Sequence, residues 1–309
     1  MLHYFDNKHI EIKTEKGTAV ALGKFDGFHL GHMLLIDEVK KLQERGYTGT
    51  IFTFDMKKNS VFDVENMHSI ISSDEKKEIA ESFGMDILVE YPFDDEFAGY
   101  EPRKFIKDIL KDMLHVKYVI AGEDFRFGKD RSGDINLLRA LKKEYDYEVI
   151  AIEKKKIGEV TVSSSYIRNL IAEGKMRETA NFLGRPYQVM GTVMHGRELG
   201  RTINIPTANI LPRKEKIYPP SGVYSSKIML ETGKSYYGIT NIGDNPTVSD
   251  ERRVTIETHI FDFNEEIYGK KITVQLLDFI RPEQRFESLA ALKNQMNKDI
   301  AFARKNFLA

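Results

Sequence analysis

"TAVALGKFDGFHLGHMLLIDEVKKLQERG" spans residues 18–46, and its reading decides the fold of the first half of the chain. "TAVAL" (18–22) reads as a short buried strand. Leu35, Ile36, Val39 and Leu42 then recur at helical spacing, and Gly46 supplies a stop signal. Between them, "GKFDGFHLGH" (23–32) packs three glycines, two histidines and an aspartate into the turn. A strand turning through a glycine-rich loop into a helix is the repeating unit of a parallel α/β sheet.

The alternation continues outward from this stretch. "TGTIFTF" (48–54), "DILVEYPF" (86–93), "KYVIAG" (117–122) and "YEVIAIEK" (147–154) read as strands. "EPRKFIKDILKDML" (101–114), a segment near 134–144 and "SSSYIRNLIAEG" (163–174) read as helices. The pattern predicts a Rossmann-like parallel sheet with helices on both faces, in which ligands bind beyond the C-terminal strand ends where strand order reverses. Near residue 185 the pattern changes. "QVMGTVMH", "TANI", "GVYSSKIML", "SYYGITNI", "RRVTIETHIFDF" and "KKITVQLLDFI" are strands punctuated by Gly, Pro, Asn and Asp, which predicts an antiparallel barrel. Leu289, Leu292, Met296 and Ile300 give a closing helix. The expected division is residues 1–184 and 185–309, consistent with a length of 309 residues.

Composition narrows the chemistry. Lys+Arg 46 against Asp+Glu 47 gives a net charge of -1, which offers no support for a nucleic-acid or membrane partner. With no cysteine there is no disulfide, thiolate metal site or cysteine nucleophile. "MLHYFDNKHIEIKTEK" lacks the apolar core of a signal peptide, and no apolar run approaches the ~20 residues of a membrane span. The expectation is a soluble cytoplasmic protein.

The loop of residues 23–32 suits an anion. Gly23 permits a sharp turn after the strand. Gly27 and Gly31 lack a Cβ and allow close approach to the backbone. His29 and His32 lie three apart at a helix start, where free N–H groups and the dipole already favour phosphate. A zinc site needs three or four ligands, and no third stands at obvious spacing. "SSSYIR" (163–168) opens another helix; its hydroxyls can cap the helix, and with Arg168 they could converge on a phosphate. In "RRVTIETHIFDF" (252–263), Val254, Ile256 and Ile260 share one strand face, while Thr255, Glu257, His259 and Phe261 share the other. In "PTAN" (206–209), Thr207 and Asn209 point to one side and offer hard oxygen ligands suited to Mg²⁺ carrying nucleotide phosphates.

"GKFDGFHLGH" with a downstream "SSSYIR" resembles the nucleotidylyltransferase superfamily, and "AGEDFRFGKDRSGD" (121–134) narrows the resemblance to bacterial bifunctional riboflavin kinase/FMN adenylyltransferases. The motifs occur in family order from residue 21 to about 304. The resemblance implies riboflavin phosphorylation in the second half and FMN + ATP → FAD + pyrophosphate in the first. Riboflavin, FMN and ATP are then the partners, with Mg²⁺ as the metal. It further implies that His29 and His32 contact the ATP phosphates and that Ser164 and Arg168 hold the pyrophosphate side. Gly23, Phe25, Asp26, Gly27 and Gly31 would shape the nucleotide loop. Asp124, Phe125 and Phe127 would lie by the flavin. In the second half it implies that His195, Gly196, Gly200 and Arg201 face ATP, that Thr207 and Asn209 hold the metal, and that Glu257 is the base toward the riboflavin 5′-hydroxyl.

Two departures stand out. "MKKNS" (56–60) replaces the family's usual Pro-His-Pro turn, and no site residue is carried over there. Asn204-Ile205 replaces the usual Gly-Phe before "PTAN", although Asn tolerates a left-handed backbone. Three alternatives remain open at this stage: a chain with one competent half, a non-catalytic flavin or nucleotide sensor, and a nucleotidylyltransferase with another acceptor.

Overall fold

The structure is a computed structural model whose described residues are 1–55, 68–196, 200, 204–246 and 252–307. Contacts group the chain into two compact units, Met1–Ser164 and Ser165–Ala309.

The first unit is built on strands β1 (Leu2–Phe5), β2 (Thr18–Leu22), β3 (Thr48–Asp55), β4 (Ile87–Pro92), β5 (Val116–Gly122) and a strand at Glu148–Ile152. Between them run helices α1 (Leu30–Gln43), α2 (Ser73–Ser82), α3 (Asp95–Ala98) and α4 (Pro102–Lys104). Short strands β6 (Arg126–Phe127) and β7 (Gly133–Asp134) precede α5 (Ile135–Tyr145), which makes Glu148–Ile152 the eighth strand, β8. All pairings in the sheet are parallel, in the order β1-β4-β3-β2-β5-β8. The expected Rossmann-like architecture is therefore present. Every residue of β2 and β4 is buried, the pattern of a strand covered on both faces. The chain runs outward from β2 to β3 on one side and later to β5 on the other. The switch in strand order thus falls at β2, whose C-terminal end opens into residues 23–32.

β1 and α2 are among the elements that were not legible. β1 is a four-residue edge strand with both ends exposed, so it has no apolar run. α2 is polar along most of its length and is fixed by a capping box in which Ser72 and Glu75 exchange side-chain and backbone bonds. The predicted helix at 101–114 exists, but Phe105–Met113 is wound as a π-helix.

A hairpin of β9 (Lys156–Ile157) and β10 (Val160–Thr161) leads to α6 (Ser164–Ala172) and α7 (Met176–Leu183). These helices group with the second unit. Tyr166 on α6 packs on Phe182 of α7 at 4.8 Å, and Arg177 of α7 pairs with Asp278 at 2.7 Å. The barrel strands are β11 (Tyr187–Met194), β12 (Ala208–Ile210), β13 (Gly222–Leu230), β14 (Ser235–Pro246), β15 (Arg252–Ile260) and β16 (Lys271–Pro282). They close as β11-β12-β15-β14-β13-β16 with antiparallel pairing throughout. The closing helix α8 (Leu289–Phe307) packs outside the barrel. There Ala303 joins Val223, Ile239 and Phe261 in a small apolar cluster.

Register divides the barrel strands into two faces. Ser226, Thr240 and Thr258 are buried and linked in a chain, with Thr240 Oγ1 at 2.9 Å from both neighbours. The alternate residues Asn209, Glu257 and Asn241 fall on the opposite face. Ile256 and Ile260 are buried, as the alternation in "RRVTIETHI" requires.

Candidate active sites

The first site grows from the end of β2. Gly23 N–H still donates to Phe52 O at 3.3 Å, and the Thr53 hydroxyl donates to Lys24 O at 2.8 Å. The chain then reverses through three left-handed residues, Phe25 (φ 46), Gly27 (φ 91) and Phe28 (φ 42). Gly27 adopts this conformation without penalty, but two bulky side chains do not, so surrounding packing must hold them. Both phenylalanines are fully buried. Phe28 packs edge-on against Phe83 at 5.5 Å, while Phe25 lies 5.0 Å from the His32 ring. Phe25, expected to shape the nucleotide pocket, therefore sits beneath the loop as support for His32.

His29 is the N-cap of α1. Its Nδ1 accepts the backbone N–H of His32 at 3.3 Å, which leaves Nε2 as the protonated nitrogen of the neutral ring. The two imidazoles stack with centroids 3.6 Å apart and planes 12° from parallel. A Cβ on Gly31 would stand 3.1 Å from the His29 ring, so glycine there lets that ring lie over the first turn. Asp26 anchors the loop from both ends. Its Oδ1 accepts Ile70 N–H at 2.7 Å, and its carbonyl accepts the Ser164 hydroxyl at 2.8 Å. Two motifs 138 residues apart are thus joined by a direct hydrogen bond. Arg168, one turn further along α6, donates to Ser165 Oγ at 3.4 Å and belongs to the second unit.

The three expected flavin contacts separate. Phe127 lies in the core beside Phe105, in space left by Gly133, where a Cβ would meet its ring at 2.7 Å. Phe125 is half-buried and stacks on Phe127 at 5.8 Å. Asp124 is exposed and paired with Lys154 at 2.8 Å.

The second site lies on the outer barrel face. A cavity of about 220 Å³ is lined by Thr207, Asn241, Glu257 and His259 from the strand side. Arg281 at the end of β16 and Glu283 and Phe286 just after it close one side, and Leu292, Met296 and Asp299 close it from α8. Glu257 sits in register between Asn209 on β12 and Asn241 on β14. The protonated Nδ1 of His259 donates to Pro206 O at 2.8 Å, which ties β15 to the residue before Thr207. Burial lowers the His259 pKa, against the pull of that carbonyl, so the ring is neutral at pH 7. Arg281 holds the buried Asp299 through Nε and Nη2 at 2.8–3.0 Å, and Gln295 adds a third donor at 2.9 Å.

A second cavity of about 490 Å³ opens beside the first, and Thr207 lines both. Asn204, Tyr268 and Phe263 also line it. His195 stacks on Tyr268 with centroids 3.8 Å apart. Gly196 touches Asn209 so closely that a Cβ would overlap the carboxamide. Gly200 accepts Ile205 N–H at 2.8 Å, and Asn204 takes the left-handed conformation (φ 62). Asn204 thus takes the left-handed backbone that Asn tolerates, and Ile205 beside it is buried. Arg201 and residues 56–60 lie outside the described residues.

A divalent ion fits the donor set at Thr207 and Asn209, a hydroxyl and a carboxamide oxygen beside a glycine cradle. Among the described residues no group of three or more His, Asp or Glu forms a self-sufficient metal cage. Sequence reasoning missed Asn241, Arg281, Glu283 and Asp299. The signal available for Asn241 was its register opposite Glu257, which no local motif reports.

Comparison with known proteins identifies the family of both halves. Residues 11–166 match the FAD synthetase family model, and residues 183–307 match the riboflavin kinase model. The bifunctional riboflavin kinase/FMN adenylyltransferase of Buchnera aphidicola (subsp. Schizaphis graminum) is 36% identical over 299 residues, covering 96% of each chain. This chain belongs to the bifunctional riboflavin kinase/FMN adenylyltransferase family. The Listeria monocytogenes member is 34% identical over 94% of each chain, and the Escherichia coli K12 member 34% identical over 95% of this chain and 94% of its own. The solved structure of a protein named for macrolide efflux, from Streptococcus pneumoniae, has a TM-score of 0.82 at 29% identity and covers 96% of this chain and 98% of that one. The efflux name stays with that protein. Among the described residues here, no helix is long and apolar enough to cross a membrane.

Proposed function

We infer that this chain makes flavin cofactors in two ATP-consuming steps, phosphorylating riboflavin to FMN and adenylylating FMN to FAD. The observation that carries this reading is that each matched region holds its own assembled site. The Asp26–Ser164 bond closes one, and the Asn209–Glu257 register closes the other. We place the functional boundary at 184/185, close to the start of the riboflavin kinase match at residue 183.

In the kinase step the cavity holding Glu257 takes riboflavin, whose flat ring suits the apolar wall of Val223, Ile239, Leu292 and Met296. The neighbouring cavity takes ATP. Their shared residue, Thr207, marks where acceptor and donor meet. Glu257 accepts the 5′-hydroxyl proton as that oxygen attacks the γ-phosphorus, and ADP leaves. Thr207 and Asn209 would hold Mg²⁺, which neutralises phosphate charge. Gly196, Gly200, His195 and Arg201 complete the nucleotide side.

In the transferase step an FMN phosphate oxygen attacks the α-phosphorus of ATP and pyrophosphate leaves. No protein nucleophile is needed, so catalysis is positioning and charge stabilisation. His29 donates from Nε2, and His32 stands stacked behind it. Gly23, Gly27 and Gly31 let phosphate approach the helix start. Ser164 latches the loop through Asp26, and Arg168 adds a guanidinium for the departing pyrophosphate. Asp124 and Phe125 meet the flavin, with Phe127 supporting Phe125 from below. A cysteine-free chain that uses ATP suits the reducing cytoplasm.

Incubation of the purified chain with riboflavin, ATP and Mg²⁺ tests the proposal, with products separated by chromatography. FMN should appear first and FAD after it. Accumulation of FMN alone, or FAD only from supplied FMN, would leave one working half.

A further inference from the structure

α2 carries the phosphate loop at both of its ends. Just ahead of the helix, Ile70 donates its N–H to Asp26 Oδ1 at 2.7 Å. At its C-terminal cap, Phe83 packs edge-on against Phe28 at 5.5 Å. Phe28 has a left-handed backbone (φ 42), which a bulky residue keeps only while its surroundings over-determine it. A slide of α2 therefore reaches the loop through Asp26 and Phe28, the residues just ahead of His29. Little apolar surface fixes α2 itself. Its buried residues are Ile79 and Ala80, together with Glu75 and Lys76. Apolar burial is non-directional, so Ile79 and Ala80 hold the helix down without setting its position. Lys76 supplies direction. Its Nζ donates to Glu90 Oε2 at 2.8 Å, while Glu90 Oε1 meets His3 Nε2 at 3.0 Å. Glu90 is 1% exposed and lies on β4, flanked by β1 and β3. Desolvation takes back most of the attraction in such a buried pair. What the pair adds is a fixed register between α2 and the sheet.

We propose that Lys76 and Glu90 are positioning residues for adenylyl transfer: their ion pair sets α2, and α2 sets His29 through Asp26 and Phe28. This rests on the transferase reading of the loop. Lys76 and Glu90 act through the helix and not by touching substrate. The route is continuous, from Glu90 to Lys76, along the first turn of α2 to Ile70, and from Ile70 N–H to Asp26. A second route runs from the other end of α2 through Phe83 to Phe28. A misplacement of about 1 Å in a group that stabilises developing charge costs on the order of a hundredfold in rate. Interactions realised in the transition state lower kcat when they are lost, whereas ground-state binding of ATP is affected less.

The test follows both reactions of the full-length protein. FAD formation is read from supplied FMN, ATP and Mg²⁺, and FMN formation from riboflavin. Lys76→Met should lower kcat for FAD formation roughly tenfold to a hundredfold and change KM for ATP less than about threefold. Lys76→Arg, which keeps a cation on a long stem, should recover most of the loss. FMN formation should be unchanged in both, and thermal melts check that the first unit is folded at the assay temperature. The decisive readout is a double-mutant cycle with Asp26→Ala, which cuts the link to Ile70 and keeps the backbone carbonyl that accepts from Ser164. In that background Lys76→Met should cost at most about threefold, because one route is already broken. A merely structural role predicts that the two losses multiply. Glu90→Gln keeps the size of the side chain and reads the same cycle at smaller amplitude, so the test stands even where Lys76→Met does not fold. Multiplying losses, or an unchanged kcat in the folded variants, would overturn the proposal. Failure of the unaltered protein to form FAD from FMN would remove the transferase reading beneath it, an outcome distinct from either.

Discussion

The two sites are built in opposite ways. The first is a run of ten consecutive residues whose shape comes from backbone: left-handed turns at Phe25, Gly27 and Phe28, and a helix capped by His29. The second is assembled from β12, β14, β15, the chain after β16 and α8, with its key side chains tens of residues apart in sequence. A site made of consecutive backbone is robust in placement but sensitive to any residue that changes the turn. A site made of register depends on strand pairing and on what packs over it.

The sharpest way to break this comparison is to disable one site and measure the other. Glu257→Gln removes the proposed base while keeping shape and hydrogen-bonding capacity. FMN formation should fall by roughly 10²–10⁴, and FAD formation from supplied FMN should stay unchanged. Loss of both activities would show that the two sites do not work separately. The converse change is next in size. His29→Ala removes a donor to the developing phosphate charge and should cost roughly 10²–10³ in FAD formation, with FMN formation intact. An unaltered FAD rate would dismiss the phosphate role of the loop.

The same contrast explains what was legible. "GKFDGFHLGH" could be read because its chemistry and its geometry are both local, and "SSSYIR" could be paired with it as the other wall of a phosphate site. The Asp26–Ser164 bond is the physical form of that pairing. Thr207, Asn209 and Glu257 were legible as strand faces. Asn241 and Glu283 were not, because their significance comes from lying opposite or over Glu257 in a closed barrel. Phe127 shows the limit from the other side. Aromatic residues in "EDFRFG" serve core and ligand equally well in sequence, and only the space left by Gly133 puts this ring in the core. The π-helical winding of Phe105–Met113 likewise leaves no mark in an amphipathic pattern.

Each unit also holds a buried carboxylate bonded to a cationic side chain, Asp299 with Arg281 and Glu90 with Lys76, and these supply the smaller tests. Asp299 takes three bonds from Arg281, through Nε and Nη2, and one from Gln295, which fixes α8 against the end of β16 at the cavity wall. Asp299→Asn keeps the shape but loses the charge. It should destabilise the barrel unit by about 1.5–3 kcal/mol in thermal or denaturant unfolding. It should also raise KM for riboflavin more than it lowers kcat, because α8 forms part of the pocket. An unchanged KM would mean the pair holds the fold without shaping the site.

Glu90 in the first unit gives the smallest and most pH-specific effect. It is buried on β4, with His3 Nε2 at 3.0 Å and Lys76 Nζ at 2.8 Å. Burial opposes its ionisation, but the bonds and charges of His3 and Lys76 outweigh that and hold its pKa below the ordinary carboxylate value. A carboxylate lowered in the folded state stabilises above its unfolded pKa, near about 4.3, and that contribution fades as pH falls through the folded value. Unfolding of the first unit should therefore become easier below about pH 4–5, with a slope from this one group of at most about 1.4 kcal/mol per pH unit. Glu90→Gln should flatten that part of the profile while leaving the Asp299 side of the molecule unchanged. The readout is a set of denaturant midpoints between pH 3 and 6 for both variants, and an acid profile indifferent to Glu90 would place the acid sensitivity of the first unit elsewhere.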